Sequence, residues 1–351
     1  MINIINPVIS KVDPKLQEKT ITENGEYVAD EGYDGLPKVT VEVPTGGGEN
    51  KLPSVVDRTV TEITASDLSG ATKIGAYAFH SCTQLSGVTL PSTVQSVGVY
   101  AFYQCSALRN LTLNNGLQTI GDYAFAEIYG GTVNIPDSVT SIGNNAFQKC
   151  SALLTVNIGN GVKSIGTYAF QNCGQNLKNV TFGNSVTTIN NFAFAQCEQI
   201  AILSLPSSLK TIGNNAFDYC RKINKIIIPN SVTSIGRSAF SDNIAATELV
   251  LSSALTTIQQ KTFYNCYSVT GTVKMPSGLT KIEASAFYNC TRVEYYDFTD
   301  ATAVPTLSNS DAFTNTNAQF IVPDSLYDTW VAATNWTTYS ARIKKASEVT
   351  V

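Results

Sequence analysis

The chain is predicted to fold as an α/β repeat solenoid, a stack of 23-residue units with a parallel sheet along one face. Three observations carry this expectation. An aromatic anchor recurs as Phe79, Phe102, Phe125, Phe147, Phe170, Phe194, Phe217, Phe240, Phe263, Phe287 and Phe313, at spacings of 22 to 24 residues until a last step of 26. Other positions keep the same register: Gly98, Gly121, Gly143 and Gly166 stand four residues before the Phe, and the cysteines three residues after it. The composition is 43% apolar but only 14% charged, enough for a core running through every unit beneath a surface of uncharged polar residues. Self-similarity at a fixed period of this length marks an array in which each unit buries its apolar face only against its neighbours.

The unit can be read residue by residue. In Leu85-x-x-Val88-x-Leu90-Pro91, Val88 and Leu90 alternate inward as a short strand, and Pro91 ends it by withholding an N–H. A corner follows at the glycine column, where a small or left-handed residue is needed. The Ala-Phe-x-x-Cys segment is expected to form one helical turn that buries Phe and Cys on one side. All eight cysteines, at 82, 105, 150, 173, 197, 220, 266 and 290, occupy one column, whose two gaps hold Ile128 and Asn243. A slot that accepts Ile reads as a small buried position holding a reduced thiol. The alternative is stapling of neighbouring units by disulfides, which needs Cα atoms within about 7 Å.

Four segments follow in order. Residues 1–45 lack the repeat and alternate apolar and polar residues around the Asn24-Gly25 turn, as a small β module for attachment or oligomerisation would. Residues 46–51 are a Gly-rich linker. The solenoid spans 52–322, its first unit carrying the apolar spacing without Ala-Phe, as a capping unit should. Residues 323–351 form a C-terminal helical cap, entered at Asp324-Ser325, with Trp330 and Trp336 packed over the open end.

Two resemblances rest on these residues. Ile-Gly-x-x-Ala-Phe-x-x-Cys, in register through eleven Phe positions from about 74 to 322, is similar to the BspA-like leucine-rich repeat family of Treponema and Bacteroides surface proteins. A parallel β-helix of the polysaccharide-lyase kind is the rival, and it would need three strands per turn. Leu16–Thr20 followed by Gly32-Tyr33-Asp34-Gly35-Leu36-Pro37-Lys38-Val39-Thr40-Val41-Glu42-Val43 resembles an element of bacteriophage tail-region and minor structural proteins.

Chemistry is sparsely signalled. The single histidine, His80, follows a repeat Phe in a column read as a solvent-facing turn, so no catalytic residue, cofactor or metal site is expected. A net charge of −4 argues against nucleic acid, and no run of 18 apolar residues is present to cross a membrane. Tyr77, Tyr100, Tyr123, Tyr168 and Phe192 resemble an aromatic sugar platform, but Asn145 and Asn215 interrupt them and a packing ladder is the preferred reading. The outward strand positions are small and polar in the N-terminal half and become apolar, charged and aromatic afterwards. Ile202, Lys225, Ile227, Glu248, Val250, Lys274, Tyr295 and Asp297 are therefore the candidate recognition surface, with cross-strand pairing and no ligand as the alternative account.

The resemblances imply a virion structural or adhesion protein, fibre-like, whose N-terminal module joins a particle protein while the solenoid binds a host surface protein or glycan. Met1–Pro7 lacks the basic start and apolar core of a signal peptide, which suits that expectation. A bacterial cell-surface adhesin is the alternative, an enzyme acting on polysaccharide the third reading, and self-association through the N-terminus is open.

Overall fold

The structure, a computed structural model, describes residues 60–174 and 176–349. The expected β module at 1–45, the linker at 46–51 and the start of the capping unit lie outside the described residues. The repeat winds as a parallel-sheet solenoid of about 12 turns at the 23-residue spacing. It falls into two compact units that divide after Asn176.

In the first unit the outward strands Glu62–Ile63, Gly87–Thr89 and Asn110–Thr112 form one parallel ladder, and Thr132–Ile135 pairs with Thr155–Ile158 in a second. Their inward residues Ile63, Val88, Val133 and Val156 are buried. Each turn also makes a second, two-residue strand that the sequence reading did not anticipate. Lys73–Ile74, Ser96–Val97, Thr119–Ile120, Ser141–Ile142 and Ser164–Ile165 are paired in parallel, each ending on a buried Ile or Val. Two strands per turn still fall short of the three a β-helix would need.

The Ala-Phe-x-x-Cys segment is not a helical turn. Asn145 and Lys149, on either side of Ala146-Phe147, both have left-handed backbones at φ 57°. Such a backbone costs a non-glycine residue roughly 1–2 kcal/mol. Hydrogen bonds to the next turn offset it: the N–H groups of Asn145, Phe147 and Lys149 donate to the carbonyls of Thr167, Ala169 and Gln171 at 2.8, 2.7 and 2.8 Å. The segment therefore bonds to its neighbours almost as a strand does. Of the two expected reasons for the glycine column, small size is the one that applies at Gly143, which has no positive φ. A Cβ on Gly143 would lie 2.6 Å from the carbonyl carbon of Gly121, so close backbone approach between these turns leaves room for glycine alone, while Asn190, Gln259 and Glu283 occupy the same column in later turns.

The second unit repeats this plan. Lys225–Ile227 pairs with Glu248–Val250, and Gly271–Lys274, Val293–Asp297, Gln319–Val322 and Ile343–Lys345 form a four-stranded parallel sheet. Thr188–Ile189, Thr211–Ile212 and Ser234–Ile235 make one row of short strands, and Thr257–Ile258, Lys281–Ile282 and Thr306–Leu307 another. Among the described residues helix is confined to the C-terminal segment, as Tyr327–Ala332 with 3-10 turns around it. Trp330 and Trp336 are fully buried there, and the Trp336 indole N–H donates to the Pro305 carbonyl at 2.7 Å. Asp324 does not cap the helix. Its carboxylate accepts the Ser347 N–H at 3.1 Å, tying down the chain end after the unexpected strand Ile343–Lys345.

Both cores are organised by the anchor phenylalanines. Their rings stack face to face at centroid distances of 4.9 to 5.2 Å from Phe79 to Phe170, and of 5.2 to 5.8 Å from Phe194 to Phe313. Beside them all eight cysteines are free and buried. The slot is more than apolar filling, because the Cys105, Cys150, Cys173, Cys220, Cys266 and Cys290 thiols each donate to the carbonyl of a repeat Phe in an earlier turn. Asn243 makes the same bond to the Phe217 carbonyl at 2.9 Å, which explains why a polar residue fits in a buried column. Burial pushes the Cys290 thiol up to about 12 and raises the Cys220 thiol as well.

Two outcomes follow from this packing. Replacing Phe217 with Ala removes one ring from a continuous stack and is expected to cost about 3–5 kcal/mol in urea unfolding, and Phe217→Leu distinctly less. Thiol titration at pH 8 should find the described cysteines unreactive in the native protein and all eight reactive in denaturant without reductant.

Candidate functional site

The outward face of the second unit brings the predicted residues together in two groups. Parallel pairing sets Lys225 opposite Glu248 and Ile227 opposite Val250. The Lys225 ammonium lies 2.7 Å from the Glu248 carboxylate, with both side chains about half exposed, so the pair neutralises itself and contributes no more than about 1 kcal/mol. Beside it Ile227 and Val250 stand exposed at 40% and 43%. Two adjoining β-branched side chains left open to water on a paired, rigid backbone form the apolar centre of the patch.

The second group lies on the next sheet, where Lys274 faces Asp297 and Thr272 faces Tyr295. The ladder is broken between the two groups near Gly271, whose φ is +70°. Lys274 reaches Asp297 at 3.0 Å, Asp300 at 2.9 Å and the Thr299 hydroxyl at 2.7 Å. Burial pushes the Asp297 carboxyl up, but the Thr299 N–H and hydroxyl together with Lys274 outweigh it and hold the carboxyl below its usual range. Burial also works against the Lys274 ammonium, and its two carboxylate partners overcome it and raise its pKa. Asp300 and Thr299 escaped the sequence reading because they follow the strand, outside the alternating columns.

Ile202 differs from expectation. Residues 201–206 form no strand, although the Asn224 N–H still bonds to the Ala201 carbonyl at 3.0 Å. Ile202 is nevertheless 68% exposed, the most open large apolar side chain among the described residues.

The remaining candidates resolve as packing. Tyr77, Tyr100 and Tyr123 stack on one another at 5.0 and 4.6 Å, so their faces are covered by each other and no sugar ring can lie between them. The column holding His80 is not uniformly solvent-facing, since Ala126 and Ala195 are buried in it. His80 itself is half-buried, 5.2 Å from the Tyr103 ring centre, and its Nδ1 shares a hydrogen bond with the Ser81 hydroxyl at 2.8 Å. Among the described residues no group of three His, Cys, Asp or Glu is placed to hold a metal ion, and no helix is long and apolar enough to cross a membrane.

This geometry can be set beside known proteins. The profile of the BspA type leucine rich repeat region matches residues 72–201 and 187–319. No curated protein matches the chain. Among solved structures, a leucine-rich repeat protein from Bacteroides ovatus is similar at 22% identity, over 82% of this chain and 84% of that one, with a TM-score of 0.55. A leucine rich cell surface protein from Faecalibacterium prausnitzii is 24% identical over 85% and 96% of the two chains, with a TM-score of 0.39. A leucine-rich repeat protein from Treponema pallidum is 27% identical over 55% and 75%, with a TM-score of 0.37. None of these likenesses supports the resemblance of residues 16–43 to phage proteins. With its anchor residues, turn geometry and profile match running from residue 72 to 319, the chain belongs to the BspA-type leucine-rich repeat family.

Proposed function

We propose that the chain is a bacterial surface-type leucine-rich repeat protein that binds a protein partner through the outward strand face of its second unit. The observation that carries this is the exposed apolar pair Ile227–Val250 on a rigid parallel ladder, flanked by the self-neutralised Lys225–Glu248 pair. An apolar centre with a polar rim is the anatomy of protein interfaces. The charges set orientation at the rim, while binding energy concentrates in a few central contacts. Lys274, Tyr295 and Asp297 extend the surface on the following sheet, and Ile202 lies beside an earlier turn. Surface display accords with the family and with the description of the Faecalibacterium protein as a cell surface protein.

A virion attachment protein is the second reading. It rests on residues 16–43 alone, which lie outside the described residues, and the family offers it no support.

One experiment separates the two and tests the surface. Antibody against the chain is expected to label intact producing cells and to leave purified phage particles from the same culture unlabelled; the reverse pattern would establish the virion reading. Binding of the chain to biotinylated surface proteins of target cells should fall at least about tenfold when Ile227 and Val250 are both replaced by Ser, with the urea midpoint little changed. Unchanged binding in that variant, and in a Lys225→Ala, Lys274→Ala, Tyr295→Ala triple variant, would remove this face from the account.

A further inference from the structure

The first unit has one short turn. Phe125 and Phe147 are 22 residues apart, and the missing residue falls at Tyr129-Gly130-Gly131. Neighbouring turns place a buried leucine three residues after the cysteine slot, as Leu85, Leu108 and Leu153. Here Gly130 comes two residues after Ile128, with φ at +95°, and a Cβ on it would lie 2.9 Å from the Leu153 backbone. Gly130 is buried, in a place where its neighbours' leucine side chains would not fit against the Leu153 backbone. The outward ladder breaks at the same place: Asn110–Thr112 pairs backward with Gly87–Thr89, Thr132–Ile135 pairs forward with Thr155–Ile158, and no ladder joins the two. A bond from the Gly130 N–H to the Leu108 carbonyl at 2.9 Å stands in its stead.

At this short turn lies an open depression of about 670 Å³, lined among others by Asn110, Arg109, Tyr129, Thr132, Leu154 and Asn176. This volume is in the range of small-ligand sites. Tyr129 and Leu154 are 39% and 45% exposed, so the depression has an open apolar floor. The Arg109 guanidinium carbon sits 4.2 Å from the centre of the Tyr129 ring. Stacking on the ring orders the guanidinium and leaves its N–H edges directed away from the ring. Among the described residues no carboxylate pairs with Arg109. The site thus offers an ordered cation beside apolar surface, with amides and hydroxyls around it.

We propose that this depression binds an acidic saccharide. A sugar carboxylate accepts two charge-assisted hydrogen bonds from Arg109, the C–H face of the pyranose lies against Tyr129 and Leu154, and ring hydroxyls meet Asn110, Thr132 and Asn176. A peptide fits less well. Adding a strand between Asn110–Thr112 and Thr132–Ile135 would need about 9.5 Å between them, two strand spacings, whereas their Cα atoms approach within 8 Å. The site lies wholly in the first unit and does not depend on the face proposed for protein binding.

The test uses the full chain on an array of uronic-acid and sialic-acid oligosaccharides, each printed beside its carboxyl-reduced form, together with acidic peptides. Binding to at least one carboxylated sugar is expected, weakened at least tenfold by carboxyl reduction and by either Arg109→Gln or Tyr129→Ala, both at exposed positions. The Ile227→Ser, Val250→Ser variant should bind these sugars unchanged, which separates this site from the protein-binding face. Binding to no carboxylated sugar, binding indifferent to both Arg109→Gln and Tyr129→Ala, or binding of acidic peptides alone would each overturn the proposal.

Discussion

Backbone contact between a residue and its counterpart one turn later governs this molecule. Because the period holds near 23 residues, each position meets its own kind about 4.8 Å away, and side chains must tolerate a copy of themselves as neighbour. Phenylalanine rings meet that condition by stacking flat, as Phe217 does on Phe194 and Phe240 at 5.4 Å on either side. Glycine meets it at the corner, where Gly143 and Gly121 leave no room for a Cβ between their backbones. Left-handed residues such as Asn145 and Lys149 are tolerated because the strained backbone directs their N–H groups at the next turn. The thiols meet it by bonding to a Phe carbonyl of an earlier turn, and Asn243 performs the same task with an amide.

The same constraint shapes what faces outward. A column of identical charges would repel at strand spacing, so charged residues on the second unit's face alternate in sign. Lys225 answers Glu248, and Lys274 answers Asp297 and Asp300. Those pairs satisfy the array's own electrostatics, and the side chains left without an internal purpose are apolar: Ile227, Val250 and Ile202. In the first unit the corresponding positions from Thr89 to Asn157 are Asn and Thr, preceded by Glu62 and Gly87, and the Asn134 and Asn157 amides bond to one another across turns at 2.7 Å. That face is occupied with itself. Departure from the repeat, at Tyr129-Gly130-Gly131, is what opens the surface there.

Much of this was legible beforehand, because a periodic sequence aligns with itself. The eleven phenylalanines, the cysteine column and the inward valines could be assigned to a core without a structure, and Lys225, Ile227, Glu248, Val250, Lys274, Tyr295 and Asp297 were placed on one type of surface by alternation alone. The second short strand was missed because two residues are too few to show alternation, and the Ala-Phe segment was misread as helical because i, i+3 burial also arises from paired turns. Asp300 and the notch at Arg109 and Tyr129 were hidden for another reason: each lies where the repeat is interrupted, and a column-by-column reading passes over interruptions. The spacing of 22 between Phe125 and Phe147 was the available signal.

The sequence by itself thus determined the repeat, the family resemblance, the inward columns and the sign of the outward ones, since all of these are properties of position within a period. Only the tertiary structure decided which outward charges satisfy one another, that the tyrosine faces are covered, and that a broken ladder and an open depression accompany the turn with one residue missing. Those outcomes depend on distances between turns, and a short turn changes them through the packing of its neighbours, as the lack of room for a Cβ between Gly130 and the Leu153 backbone illustrates.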